Sequence, residues 1–412
     1  MNENTKYYSE KWRKPVLLLC MTIMLTALLF SRALLSLGLI GFIVTSLLHK
    51  NIWQQLKTFF TVPFLWSISL LFVIPLISGL WSEDLSQWSQ ILQIKLPLLL
   101  LPVCFAGEFG FSFKDWQKIA FVFLIVIFAG VCWSFWQYFQ NASYIHEGYL
   151  KAGTIATPLG NDHVRFSLLV AVSILACIFL FIRNNEIFKR IDAVLLVVIA
   201  VIETIYLHVL AVRTGLICFY IAISFFFGWL WNRRSKLKFL LLVCLLLPMI
   251  SYLIFPTFKN RISYLKYDLA FVQQKVYVPG SNDGDRFASI NAGWTLVKQR
   301  PFTGVGFGDI KNETDKYYSN NYPTMKEQDK ILPSSEWMIY GAGSGWPGII
   351  LFSFVLLIPF STRTLGKNIF WWLINIFMAS SYLFDIGLEV QYGVFIHAFI
   401  LLWWYKWLQL KE

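Results

Sequence analysis

Charged side chains are scarce in this sequence: they make up 14% of its 412 residues, against 57% hydrophobic ones. So little charge beside so much apolar surface excludes an ordinary soluble globule. Cysteine is sparse too. Its six copies (Cys20, Cys104, Cys132, Cys177, Cys218 and Cys244) all fall inside apolar runs, so neither a disulfide framework nor a zinc site is expected. No His/Cys/Asp cluster has metal-ligand spacing and no Gly-x-Ser-x-Gly elbow occurs, so no metal and no cofactor enter the reading. The glycine run "GVGFG" lacks a strand before it, a helix after it and a following Gly-Lys-Ser/Thr, which excludes a nucleotide loop and leaves a turn. No A-x-A-like cleavage site follows the basic start, so the first apolar run is expected to remain as a helix. No internal repeat is visible.

What the sequence has in abundance is apolar runs long enough to cross about 30 Å of hydrocarbon. They are placed at 15–31, 33–48, 60–79, 91–107, 118–138, 166–182, 192–211, 214–231, 238–256, 337–360, 368–384 and 390–408. The expected fold is therefore an all-α membrane protein of about 12 transmembrane helices. Lysine and arginine set its orientation. Lys6, Lys11, Arg13 and Lys14 precede the first run. Alternate loops then carry Lys50 and Lys57, Lys114 and Lys118, Arg183, Lys189 and Arg190, Arg233, Arg234, Lys236 and Lys238, and Arg363 and Lys367, and the tail adds Lys406 and Lys411. The remaining short loops hold only Arg32, Lys151, Arg165 and Arg213. Both termini are expected in the cytoplasm, and the net charge of +12 reads as a topology signal with no nucleic acid partner. Residues 257–336 form one large, mainly helical loop on the outer face, dividing the chain into spans over 1–256, a cap over 257–336 and spans over 337–412. Within the cap, "DRFASINAGWTLVKQR" reads as a helix with Asp285 as N-cap and Phe287, Ile290, Trp294 and Val297 on one face.

Arg213 lies in "YLHVLAVRTGLICFYIAI", an apolar stretch in which a lone cation costs several kcal/mol, roughly 3 at bilayer depth. It is either an interfacial anchor or a fixed fork for a phosphate, with glycine beside it allowing close approach. Arg286 opens the cap helix, where a cation opposes the macrodipole; an anion shared with the free first-turn N–H groups would offset that cost. Arg165, beside His163 and Asp162, is a third cation at the same depth. Lys95, inside the fourth run, is either a snorkelling residue or a buried counter-ion. Glu83 and Asp84, and later Asp385, Glu389 and Gln391, place polar groups at the outer ends of spans.

Taken together, "SEDLSQWSQILQIKLPLLLLP", "NDHVRFSLLV", "AVRTGL", "RFASINAGWTLVKQRPFTGVGFGD", "LPSSEWMIYGAGSGWPGIILF" and "DIGLEVQYG" stand in the order seen in a known family. Over roughly residues 75–400 the sequence resembles the O-antigen ligase and O-antigen polymerase superfamily, multi-spanning bacterial glycosyltransferases. The resemblance implies transfer of a glycan from an undecaprenyl-diphosphate-linked donor to an acceptor hydroxyl, on lipid A-core or another glycan. That transfer would be inverting and metal-independent, at the periplasmic face of the inner membrane. It implies that Arg213 and Arg286 grip the diphosphate, with Arg165, His163, Lys95, Trp294 and Ser334 as further substrate-binding candidates. The family usually carries a His-Asn pair before the span that follows the large loop. Here that place reads Pro333-Ser334-Ser335-Glu336. A serine hydroxyl is a poor proton acceptor, so either Glu336 takes over as base, or deprotonation matters less than diphosphate binding, or the activity is weak or different; Glu336 could also be a first-turn acid that only caps its helix. A repeat-unit polymerase has the same features. A transporter or flippase of lipid-linked glycans fits the span count, but commonly shows repeats and broken midplane helices. A lipid-phosphate-sugar transferase with an acid in its first outer loop is disfavoured by Arg32 there.

Overall fold

The computed structural model describes residues 12–151, 153–183, 190–231, 237–274, 277–362 and 365–410, and among them every regular element is a helix. Lys6, Lys11, Lys189, Arg233, Arg234, Lys236, Arg363 and Lys411, used above to orient the chain, lie outside the described residues.

The number of spans differs from the twelve expected. Seven described helices are long and apolar enough to cross a membrane, or up to nine if each of two bent pairs counts as one span. The chain is a multi-pass membrane protein, but length disqualifies some apolar runs. Pro63–Ser78 has 16 residues and Ile369–Ser381 has 13, or about 24 and 20 Å at 1.5 Å per residue. Arg32–Leu47 turns through 105° into Ile52–Thr61, and Leu241–Ile254 turns through 88° into Pro256–Leu269. In the second pair Pro256 follows the break, where its missing N–H costs a new helix nothing. The segment expected as the large loop therefore begins as a helix turned sharply away from an apolar one.

His163–Arg183 is the most deeply enclosed of the span candidates. Polar groups inside the bundle find partners on neighbouring helices: Ser173 donates to Glu203 at 2.9 Å, Tyr206 to Ser134 at 2.7 Å and Tyr340 to the Leu71 carbonyl at 2.7 Å. All six cysteines are free thiols.

The loop is fixed to the bundle by backbone pairing. Glu336–Leu357 is broken at Gly345, whose φ of 68° and ψ of −156° leave the helical region. Such a break is tolerated at membrane depth only where the freed groups find new partners. Here "PFTGVGFG" supplies them. Val305 N donates to Ala342 O at 2.7 Å, Gly306 N to Gly343 O at 3.1 Å and Trp346 N to Pro301 O at 2.8 Å. Gly304, at φ +64°, lies so close to the backbone of Ala342 to Ser344 that no Cβ fits there. Next in sequence, Asp309 accepts from the backbone of Glu83 at 2.8 Å and of Asp84 at 2.9 Å, and Asp84 in turn caps Leu85–Ala106 by accepting from Gln87 N at 2.9 Å. The glycine run is a docking turn, and the acids of "WSEDLSQW" belong to its clasp.

Candidate functional site

The cap helix runs Asn282–Gln299, four residues earlier than its sequence pattern implies. Ser281 is its N-cap, and Asp285 sits inside its first turns. The first-turn N–H groups are not free. Asp268, from Pro256–Gln274, accepts from Asp283 N at 2.6 Å and Gly284 N at 3.4 Å, and also receives the Ser281 hydroxyl. The expectation of an anion shared between Arg286 and those N–H groups is corrected on this ground: a carboxylate of the chain already holds them.

This capping orients the helix so that Arg286 and Asp283 face the start of Arg213–Leu230. Arg213 forms an ion pair with Asp283. Arg286 is half-buried, and its guanidinium has no hydrogen bond or ion pair among the described residues. Burial first, and then the Arg213 cation, pull its pKa down, with Asp385 and Asp283 opposing. A guanidinium nevertheless stays charged near neutral pH. The two arginines share a cavity of about 310 Å³ with Thr214, Asp283 and Ser334, while its other walls, among them Ile217, Leu265, Leu269 and Phe384, are apolar. The result is a groove with two cations at one place and hydrocarbon along its sides. An amphipathic ligand with a phosphate-like head suits that shape and charge.

Ser334 lines this groove and is held by Ser289, whose hydroxyl donates to Ser334 Oγ at 3.0 Å and accepts from Ser334 N at 3.1 Å. Arg165 lies behind the groove, with NH2 2.9 Å from Asp385 and NH1 3.5 Å from Asp162. Burial pushes the Asp385 carboxyl up, and the Arg165 cation opposes that shift. Because Phe384 is a wall of the groove, the Arg165–Asp385 pair fixes one side of it. His163, half-buried, stands 3.5 Å from the Thr154 hydroxyl and is not among the groove's walls.

Three candidates are placed elsewhere. Lys95 is fully buried, 2.5 Å from Glu389 and 2.9 Å from the Leu388 carbonyl, with the Tyr340 ring 5.2 Å away. Of the two readings left open for it, the structure shows the buried counter-ion. Glu336 is fully buried as well; its Oε1 accepts from Leu388 N at 2.6 Å and its Oε2 has no partner among the described residues. Trp294 packs edge-on against Trp346, with ring centres 5.7 Å apart, away from the groove. Sequence reasoning missed Asp283 and Asp268. For Asp283 the acids of "SNDGD" were the available signal, obscured by taking Asp285 as the N-cap; Asp268 carried no local signal.

Residues 195–353 match the family model described as O-antigen ligase. No curated protein matches the chain. The matched segment contains Arg213, Asp268, Asp283, Arg286, Ser334 and Glu336, and it supports placement in the O-antigen ligase and polymerase superfamily.

Proposed function

We propose that the protein transfers a glycan from undecaprenyl diphosphate to an acceptor hydroxyl, as an O-antigen ligase-like glycosyltransferase, with Arg213 and Arg286 gripping the diphosphate. The observation that carries this reading is the groove in which the Arg286 guanidinium, beside Arg213 and between apolar walls, makes no ion pair among the described residues. A lipid diphosphate leaves readily only if its growing negative charge is stabilised, and two fixed guanidinium groups supply that term. The acceptor oxygen bonds to the anomeric carbon as the carbon–oxygen bond to the diphosphate breaks; the electron pair leaves on the diphosphate, and the acceptor hydroxyl gives up its proton to water. Attack opposite the leaving group inverts the anomeric carbon. The groove faces the outside of the inner membrane, where a tag at 310–325 should be accessible.

Glu336 is a positioning residue in this scheme. Fully buried and bonded to Leu388 N, it braces the 387–389 turn together with Lys95 and is not among the groove's walls. The test is glycan profiling of a deletion strain complemented with Arg213→Ala or Arg286→Ala. Each variant is expected in the membrane but without transfer, leaving unattached lipid-linked polymer for a ligase and single-repeat product for a polymerase. Normal profiles from both would return the arginines to the role of interfacial anchors.

A further inference from the structure

Arg213 is reached through a tight and strained turn. Helix Arg190–Leu210 ends three residues before it, and Ala211 takes φ +49°. Glycine usually fills that left-handed position after a helix, and an alanine there is strained. Val212 follows as an N-cap without a side-chain hydrogen bond, and Arg213 opens Arg213–Leu230.

The last carbonyls of a helix have no partner inside it, and here two of them are met by side chains from other elements. Thr257 Oγ1 donates to Val209 O at 2.6 Å, and the Tyr149 hydroxyl donates to Leu210 O at 2.7 Å. Both side chains are fully buried. The Tyr149 ring is itself fixed. Arg261, also buried, stands with its guanidinium carbon 4.7 Å over that ring and donates from Nη2 to Gly153 O at 2.8 Å. Ile155 N donates to the Tyr149 hydroxyl at 3.3 Å. Thr257 and Arg261 both belong to Pro256–Gln274, the helix whose Asp268 caps the cap helix and so orients Arg286. One helix therefore reaches both arginines of the groove.

On the reading of Arg213 as a diphosphate ligand, on which this rests, we propose that Tyr149, Thr257 and Arg261 are positioning residues that aim Arg213. Pro256–Gln274 thereby sets the spacing of the two guanidinium groups. None of the three residues is among the groove's walls, so they act through the turn. A planar fork misplaced by about 1 Å loses much of what its geometry supplies. The test is a double-variant cycle on binding of undecaprenyl diphosphate to the full-length protein in nanodiscs. Tyr149→Phe keeps the ring beneath Arg261 and removes only the hydroxyl. It is expected to weaken binding about fivefold when Arg213 is present, and to change nothing in an Arg213→Ala background. Thr257→Val removes the other bond and should follow the same pattern. Loss by the same factor in both backgrounds, or wild-type binding in both Tyr149→Phe and Thr257→Val, would overturn the proposal. Wild-type binding in Arg213→Ala alone would overturn it together with the reading of Arg213.

Discussion

Asp283 is the residue that makes the groove more than two cations. Its ion pair holds Arg213 in place, yet it puts a carboxylate where a diphosphate has to dock. Replacing it with asparagine removes the competing charge. Asp283→Asn is expected to lower the donor concentration needed for half-maximal transfer by about tenfold, the scale of one charge-assisted hydrogen bond. A rise instead would mean that holding Arg213 outweighs competition. Asp285, two residues on, behaves differently. Burial, then the charges of Asp329 and Asp268, push its carboxyl up to about 7 from the usual 3.8. The folded chain keeps a proton that the unfolded chain releases, so this stability is complete at acid pH and is lost as pH rises from about 4 to 7. Thermal unfolding between pH 5 and 8 should fall more steeply in wild type than in Asp285→Asn; identical profiles would contradict this. Of these groups only the arginines were legible as site residues in the sequence. A cation in an apolar stretch stands out by its cost, whereas Asp283 and Asp268 acquire roles only once the cap helix starts at Asn282 and a second helix folds beside it.

At the scale of elements, the broken helix and the glycine turn form one unit. Gly304→Ala would force a Cβ into the backbone of Ala342 to Ser344 and impose a left-handed conformation on an L side chain. It is expected to abolish transfer and to lower the melting temperature by several degrees, roughly what 2 kcal/mol does in a chain of this size; wild-type melting would refute the docking role. Glu336→Gln tests the brace at the far side of the same helix. Glutamine still accepts from Leu388 N, so transfer is expected to fall less than tenfold. A loss of roughly 10²–10⁴ would restore this carboxylate as the base. The apolar runs made most helices legible, because hydrophobic length is what a membrane reads. Their bends were not legible: nothing in the hydropathy near His49 or Phe255 distinguishes a turn of 105° or 88° from a straight span. The Lys95–Glu389 pair joins residues about three hundred positions apart, beyond the reach of any local pattern.

The whole molecule divides polar work between its two ends. At one end, backbone pairing and an acid cap hold a loop over a groove whose Arg286 makes no ion pair among the described residues. At the other, lysine and arginine line a cavity beside the bent helix Ile52–Thr61. The central claim is that Arg213 and Arg286 together hold the lipid diphosphate. Its most direct measurement is binding of undecaprenyl diphosphate to the purified protein in lipid nanodiscs, with wild type, Arg213→Ala, Arg286→Ala and the double variant side by side. Each single variant is expected to weaken binding at least about tenfold, and the double variant to bind no better than empty nanodiscs. Wild-type affinity in the double variant would contradict it.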